Sequence, residues 1–340
     1  MRIEDEIKLT FDDVLIRPKR STLVSRSEVV LERQFKFKHT NEIWTGVPIF
    51  SANMDTTGTF ETAITLQKHK MLTAIHKFYS IKDWEKNVEK LDPNFISVTV
   101  GQSKEDLQLG QKIFSLNSDI KYLCIDVANG YREDFINSVK NYRETFPDKI
   151  IIAGNVATRE MTEALILAGA DIVKIGIGPG SVCTTRSVAG VGYPQLSSIS
   201  ECSDAAHGLG GHVMADGGCK YPGDVSKAFG AGADYVMLGG MFAGHKESGG
   251  ELVTDEEGVQ YKDFYGMSST KAQQTYYGDL AEHRAPEGKK VRLRYKGELD
   301  KTVQSILGGM RSACSYVGAK KLKDLPKSTT FIRVTQTTNE

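Results

Sequence analysis

The stretch Ala170–Arg186 reads ADIVKIGIGPGSVCTTR. Its first half is a short apolar run rich in β-branched residues, which favours a strand. Its second half sets Gly176, Gly178, Pro179 and Gly180 before Cys183, Thr184, Thr185 and Arg186. A glycine-rich loop after a strand would suit an open, doubly wound sheet. That fold, however, wants G-x-G-x-x-G after its first strand, whereas this loop is G-x-G-x-G and follows the sixth apolar run. The chain therefore reads as a closed barrel.

Working outward, the other runs are VPIFSA near Ile49, MLTAIH near Thr73, FISVTV near Ser97 and KYLCIDV near Leu123. KIIIAGNV near Ile152, GHVMADG near Val213 and ADYVMLGG near Val236 complete the set. Stretches such as TFETAITLQKHK and TREMTEALILAGA lie between them with apolar residues at helical spacing. Alternating βα units imply parallel strands buried on both faces. Eight of them predict a (β/α)₈ TIM barrel, typically ~250 residues. Its strands fall within 47–239, in a single catalytic domain over 1–340. The segment Glu247–Lys301 breaks the rhythm and reads as a hairpin and loops inserted after strand eight. AGAD occurs twice, at Ala168–Asp171 and Ala231–Asp234, just before strands six and eight; the echo reads as structural, its glycine ending a helix.

Composition narrows the function. Lys and Arg (43) balance Asp and Glu (43), so the overall basic excess of a nucleic-acid protein is missing. The five cysteines form no C-x-x-C pair, which argues against a zinc site or a disulfide framework. The charged start MRIEDEIKLTFDD lacks an apolar signal region, and no run reaches the ~20 apolar residues of a membrane helix. The expectation is a reduced, cytoplasmic protein with neither membrane nor nucleic-acid partners.

Loops after barrel strands meet at one face and build the site. There the sequence places Ser51–Asp55, His76 and Lys77, Asp126–Gly130, the Gly176–Cys183 loop, Asp216–Gly218 and Gly239–Gly240. Glycine pairs after strands seven and eight suit a phosphate, whose oxygens can meet backbone N–H groups. Cys183, in a glycine-rich loop beside a cation, has the surroundings of a nucleophile; Cys124 and Cys202 read as core. Asn and Asp in Ser51–Asp55 and Asp126–Gly130 serve turn formation as readily as substrate contact. The residues alone reach a phosphate-bearing substrate attacked by a cysteine, and no further.

GIGPGSVCTTR together with DGG, MLGGMFAGHKESGGE, FYGMSS, FIRVTQ and LTFDDVLIRPKRSTL resembles the family shared by IMP dehydrogenase and GMP reductase. The likeness runs essentially end to end. The stretch HRAPEGKK lacks the Arg-Tyr pair of the dehydrogenases and carries Glu287, and the barrel has no room for their inserted regulatory pair. Some dehydrogenases also lack that insert, so it is the flap that decides for the reductase branch. A dehydrogenase lacking that insert, and a non-catalytic nucleotide-binding regulator, are the alternatives.

The resemblance implies NADPH-dependent reductive deamination of GMP to IMP and ammonia in purine salvage. Cys183 would attack purine C2 and form a thioimidate, with Thr185 and Glu287 moving protons. Ribose and phosphate would meet Asp216, Gly217, Gly218, Gly239 and Gly240. The base would lie near Ser51, Met54, Gly266, Met267, Ser268, Arg284, Ala285, Pro286, Glu287 and Gly288. NADPH would touch Lys77, Asp126, Val127, Ala128, Ile177, Gly178, Met267 and Arg284. Ser25, Arg26, Ser312, Ala313, Cys314 and Ser315 would reach it from a neighbouring subunit of a homotetramer, Arg26 at the 2′-phosphate. A potassium ion would sit on Gly178, Gly180 and Cys183, near Arg186.

Overall fold

A computed structural model describes residues 1–278 and 285–335. Its eight parallel strands are β1 (Ile49–Ser51), β2 (Leu72–Ile75), β3 (Ile96–Val100), β4 (Tyr122–Asp126), β5 (Ile150–Val156), β6 (Ile172–Ile175), β7 (His212–Asp216) and β8 (Tyr235–Leu238). Val236–Leu238 pair with Ile49–Ser51 and close the barrel. Every strand falls on an apolar run of the sequence. Each is followed by its helix: α1 (Phe60–Leu66), α2 (Ile81–Asn87), α3 (Lys104–Leu116), α4 (Glu133–Thr145), α5 (Arg159–Leu167), α6 (Gln195–Gly208), α7 (Pro222–Gly230) and α8 (Leu299–Val317).

Strand side chains alternate between two cores, as the two-residue period of a pleated strand requires. In β4, Tyr122 and Cys124 join the interior with Phe50, Ile152 and Met214, while Leu123 and Ile125 join the strand–helix layer. All are fully buried. An antiparallel hairpin, Arg33–Lys36 with Ile43–Gly46, precedes the barrel. Its Phe35 and Trp44, with nearby Phe37, enter the interior core. Phe35 stacks on Tyr235 at 4.5 Å between centroids, and Phe37 lies edge-on to Tyr122. Tyr122 and Tyr235 begin β4 and β8, so the hairpin stoppers the end opposite the mouth.

The AGAD echo is structural in a specific way. Asp171 accepts from the Ile151 N–H at 3.0 Å and Asp234 from the Val213 N–H at 3.2 Å, so each carboxylate caps the strand before its own. Arg143 balances Asp171 at 2.5 Å; Arg33 at 3.1 Å and His207 at 2.7 Å balance Asp234.

After β8 the chain forms a three-stranded antiparallel sheet, β9 (Leu252–Thr254), β10 (Gln260–Tyr265) and β11 (Lys290–Arg294), with a short helix at Thr270–Tyr276. The expected hairpin is β9–β10; the sequence signal missed β11, whose KVRLR pattern is half exposed and weakly apolar. No helix among the described residues is long and apolar enough to cross a membrane.

Candidate active site

The loop after β6 is fastened from several sides. Gln195 donates from Nε2 to the Ile175 carbonyl at 2.8 Å and to the Asp216 carbonyl at 3.3 Å, tying the ends of β6 and β7 together. Arg186 donates to the Tyr193 carbonyl at 2.7 Å. Its guanidinium thus braces the back of the loop, where the sequence had suggested a cation for the thiol.

Cys183 is half-buried and its sulfur lies 3.2 Å from the Thr185 hydroxyl oxygen. Its main chain is stitched to the segment after β10 and the segment before β11. Thr184 N–H donates to the Glu287 carbonyl at 3.0 Å, Lys289 N–H to the Val182 carbonyl at 2.9 Å and Glu287 N–H to the Ser268 carbonyl at 3.1 Å. A Cβ on Gly266 would lie 2.9 Å from the Val182 carbonyl. The main chain at 182–184, 266–269 and 287–289 therefore forms one three-ply stack that carries Cys183, Gly266, Ser268, Glu287 and Gly288.

The glycine pairs meet this stack from the barrel side. Gly217 has φ +88, and a Cβ there would lie 3.1 Å from Pro179 and 3.2 Å from the Gly180 nitrogen. Met54 approaches Gly239 and Ser181 approaches Gly240, each within contact distance of a built Cβ. Gly217, Gly218, Gly239 and Gly240 are thus gathered with Ser181, which the sequence reading passed over. Ser51 behaves differently: its buried hydroxyl donates to the Thr57 carbonyl at 3.0 Å and shapes its own loop, leaving Met54 to face Gly239.

Below the loops lies a charge network that the sequence reading also missed. Lys174, in the middle of β6, is 2% exposed. Its Nζ lies 3.3 Å from Asn53 Oδ1, 3.4 Å from Asp126 Oδ1 and 3.5 Å from Asp216 Oδ2. Lys77 holds the other Asp126 oxygen at 3.4 Å, and Asn155 donates to Asp216 Oδ2 at 2.9 Å. Burial alone would raise the Asp126 carboxyl, but Lys174 and Lys77 overcome it and hold it below the usual carboxylate range. Next to Asp126, Val127 is joined to β5 through the Gly154 carbonyl and the Asn155 N–H.

A profile of the IMP dehydrogenase / GMP reductase domain matches residues 8–340. The chain belongs to the IMP dehydrogenase / GMP reductase family. Among curated relatives, a "GMP reductase" of Buchnera aphidicola subsp. Acyrthosiphon pisum (strain Tuc7) is 58% identical, covering all of this chain and 98% of that protein. The "GMP reductase" of Escherichia coli O81 (strain ED1a) is 57% identical with the same coverage, and that of Caenorhabditis elegans is 56% identical over 95% of its length.

Other expected residues stand away from the mouth. Ser25 and Arg26 lie in an exposed turn where Ser25 accepts from the Ser27 N–H and Glu28 accepts from the Ser25 N–H. Ser312 and Ala313 line an apolar groove of about 410 Å³ between α7 and α8. They fall near the C-terminal end of α8, about 20 Å along a helix that starts beside the flap. Ser315 is half-buried nearby, but Cys314 is fully buried in the helix–strand core and offers no side chain. Arg284 lies outside the described residues.

Proposed function

We propose that this enzyme reduces GMP to IMP and ammonia with NADPH, through a covalent bond between Cys183 and purine C2. The observation that carries the reading is the Cys183 sulfur beside the Thr185 hydroxyl, in a loop sewn to the main chain of Glu287. A nucleophile and its proton shuttle belong within such reach. The relatives' shared name supplies the substrate.

The glycines after β7 and β8 would hold the phosphate with backbone N–H groups, and Asp216 would accept from the ribose hydroxyls. Attack by the Cys183 thiolate forms the S–C2 bond; the C2–N2 bond breaks as Thr185, relayed by Glu287, delivers the proton that lets nitrogen leave as ammonia. Bound NADPH supplies the hydride that replaces sulfur at C2, releasing the thiolate and leaving IMP and NADP⁺. Lys77 and Asp126, paired at the end of β4, suit the polar nicotinamide end of that cofactor. Residues 312–315 would serve the adenosine end of a cofactor held by a second copy, as in a homotetramer. The carbonyls of Gly178 and Cys183 accept no backbone hydrogen bond among the described residues. With Gly180 they offer hard oxygen donors suited to a potassium ion, which would stiffen the loop.

The test is NADPH oxidation by the purified protein with GMP, with IMP and ammonia as products. XMP formed from IMP and NAD⁺, with no turnover of GMP, would make it a dehydrogenase instead. Nucleotide binding without any turnover would make it a regulator.

A further inference from the structure

Lys174 sits where an ammonium is expensive. Both strand neighbours, Val173 and Ile175, are fully buried in the outer core, and Lys174 points the opposite way, into the barrel. An unpaired charge is not tolerated at such a place. The surroundings are built for it: Gly154 on β5 lets the lysine stem pass, since a Cβ there would lie 2.7 Å from Lys174 Cβ. The ammonium donates to Asn53 Oδ1 from the loop after β1 and to Asp126 Oδ1 at the end of β4, and pairs by charge with Asp216 Oδ2 at the end of β7.

Burial would lower the Lys174 pKa, but facing groups turn the shift upward. Cys124 is not the counter-charge: burial pushes its thiol up to about 12, so it is neutral at working pH. The counter-charges are Asp216 and Asp126. Both lie within 3.5 Å of one nitrogen, so the two carboxylates stand within about 7 Å of each other. Without the ammonium, Lys77 beside Asp126 is left to balance two carboxylates, and like charges at that separation in a buried site favour protonation of one of them.

We propose that Lys174 is a positioning residue that aims Asp216 at the substrate ribose and Asp126 at the cofactor together, making the two half-sites one electrostatic unit. The inference rests on the functional reading above for which ligand meets which carboxylate. Asp216 Oδ2 is taken by Lys174 and Asn155. Its Oδ1 has no hydrogen-bond partner among the described residues, and the side chain is 21% exposed, so one oxygen remains for a hydroxyl donor.

The test replaces the charge and reads each ligand separately as a function of pH. Lys174→Met should raise KM for GMP and for NADPH each at least tenfold at pH 8. KM for GMP should climb further between pH 8 and 6, as the carboxylate pair, left with Lys77 beside Asp126 as its one cation, takes up a proton and loses an acceptor; the wild type stays flat there. Lys174→Arg, which keeps the charge, should restore the flat profile. A structural role alone would lower thermal stability without introducing a pH limb or moving both KM values. An unchanged profile in a folded Lys174→Met protein, or a rise confined to one ligand, overturns the proposal.

Should Lys174→Met fail to fold, Asp126→Asn is compared with Asp126→Asn/Lys174→Gln, which preserves the buried charge balance. The single variant should raise KM for NADPH alone; the double should raise KM for GMP as well, at least fivefold, and equal GMP values overturn the proposal. If the wild type does not turn GMP over, the functional reading fails first. Titration calorimetry with GMP, comparing wild type with the same variants, then decides the inference, and absence of GMP binding to the wild type overturns both.

Discussion

The ring of Phe78 lies flat against that of Tyr276, with centroids 3.5 Å apart and planes 13° from parallel. Phe78 follows Lys77 at the end of β2, and Tyr276 closes the helix carried by the flap. Tyr276 also donates to Asp55 Oδ2 at 2.6 Å, an oxygen that Tyr265 shares. One carboxylate from the loop after β1 and one aromatic ring thus dock the flap on the barrel. Tyr276→Ala removes both contacts, a stacked pair worth ~0.5–1.5 kcal/mol and a hydrogen bond to a charged group worth ~1.5–3 kcal/mol. The expected outcome is faster protease cleavage within 247–301 and a KM for GMP raised roughly tenfold or more, consistent with a loss of at least about 1.4 kcal/mol. Unchanged cleavage would show that the flap is held elsewhere.

Cys183→Ala should abolish GMP-dependent NADPH oxidation while leaving GMP binding measurable by calorimetry. Thr185→Val keeps the shape of the side chain but removes the hydroxyl beside the sulfur. Its kcat should fall ~10²–10⁴-fold, the usual share of general acid–base catalysis, with KM for GMP little changed. Full activity in either variant would remove the loop from the chemistry.

Gly217→Ala tests the phosphate cradle. The backbone at φ +88 disfavours any side chain, at a cost of about 1–2 kcal/mol, and the new methyl would press on Pro179 and on the Gly180 nitrogen. KM for GMP should rise tenfold or more while KM for NADPH stays near the wild-type value. Equal changes in both would show that the substitution disturbs the loop as a whole.

His76 gives the stability curve a defined acid limb. It is 6% exposed, and burial lowers its pKa from 6.5 to about 4. Below pH 6.5 the unfolded chain takes up a proton that the folded chain refuses, so stability falls as pH drops from 6.5 toward 4. The loss is at most about 1.4 kcal/mol per pH unit. Urea unfolding at pH 7 and pH 5 should show a smaller difference for His76→Gln than for the wild type. An identical difference would rule His76 out as the source.

The barrel was legible because its signal is repetitive. Each of β1 to β8 is an apolar run too short for a helix, separated from the next by helical spacing. The thiol loop was legible because glycine, proline and cysteine stand together. The Lys174 network was not, because its partners come from one loop and two strand ends and only closure of the barrel assembles them. A signal existed: a lysine flanked by Val173 and Ile175 in a strand buried on both faces demands carboxylates at neighbouring strand ends. The plug formed by Phe35, Phe37 and Trp44 was missed for a related reason, since its alternating pattern says "half-buried hairpin" but not what it covers. The aspartates of the AGAD repeats were read only as an echo, because pairing Asp171 with Arg143 and Asp234 with Arg33 requires knowing which helices and hairpins lie beneath the strands.

The aromatic stopper at the far end of the barrel has a consequence for traffic. With Phe35, Phe37 and Trp44 packed into the interior, each no more than 3% exposed, that end of the barrel is filled by side chains. On the proposed function, what the reaction consumes or releases would pass through the opposite end, beside the flap and the thiol loop. On that reading, ammonia formed beside Cys183 would leave past the nucleotide and the cofactor, and the nucleotide would wait for the flap. The order of departure is thus a property of the vessel's shape as much as of its chemistry.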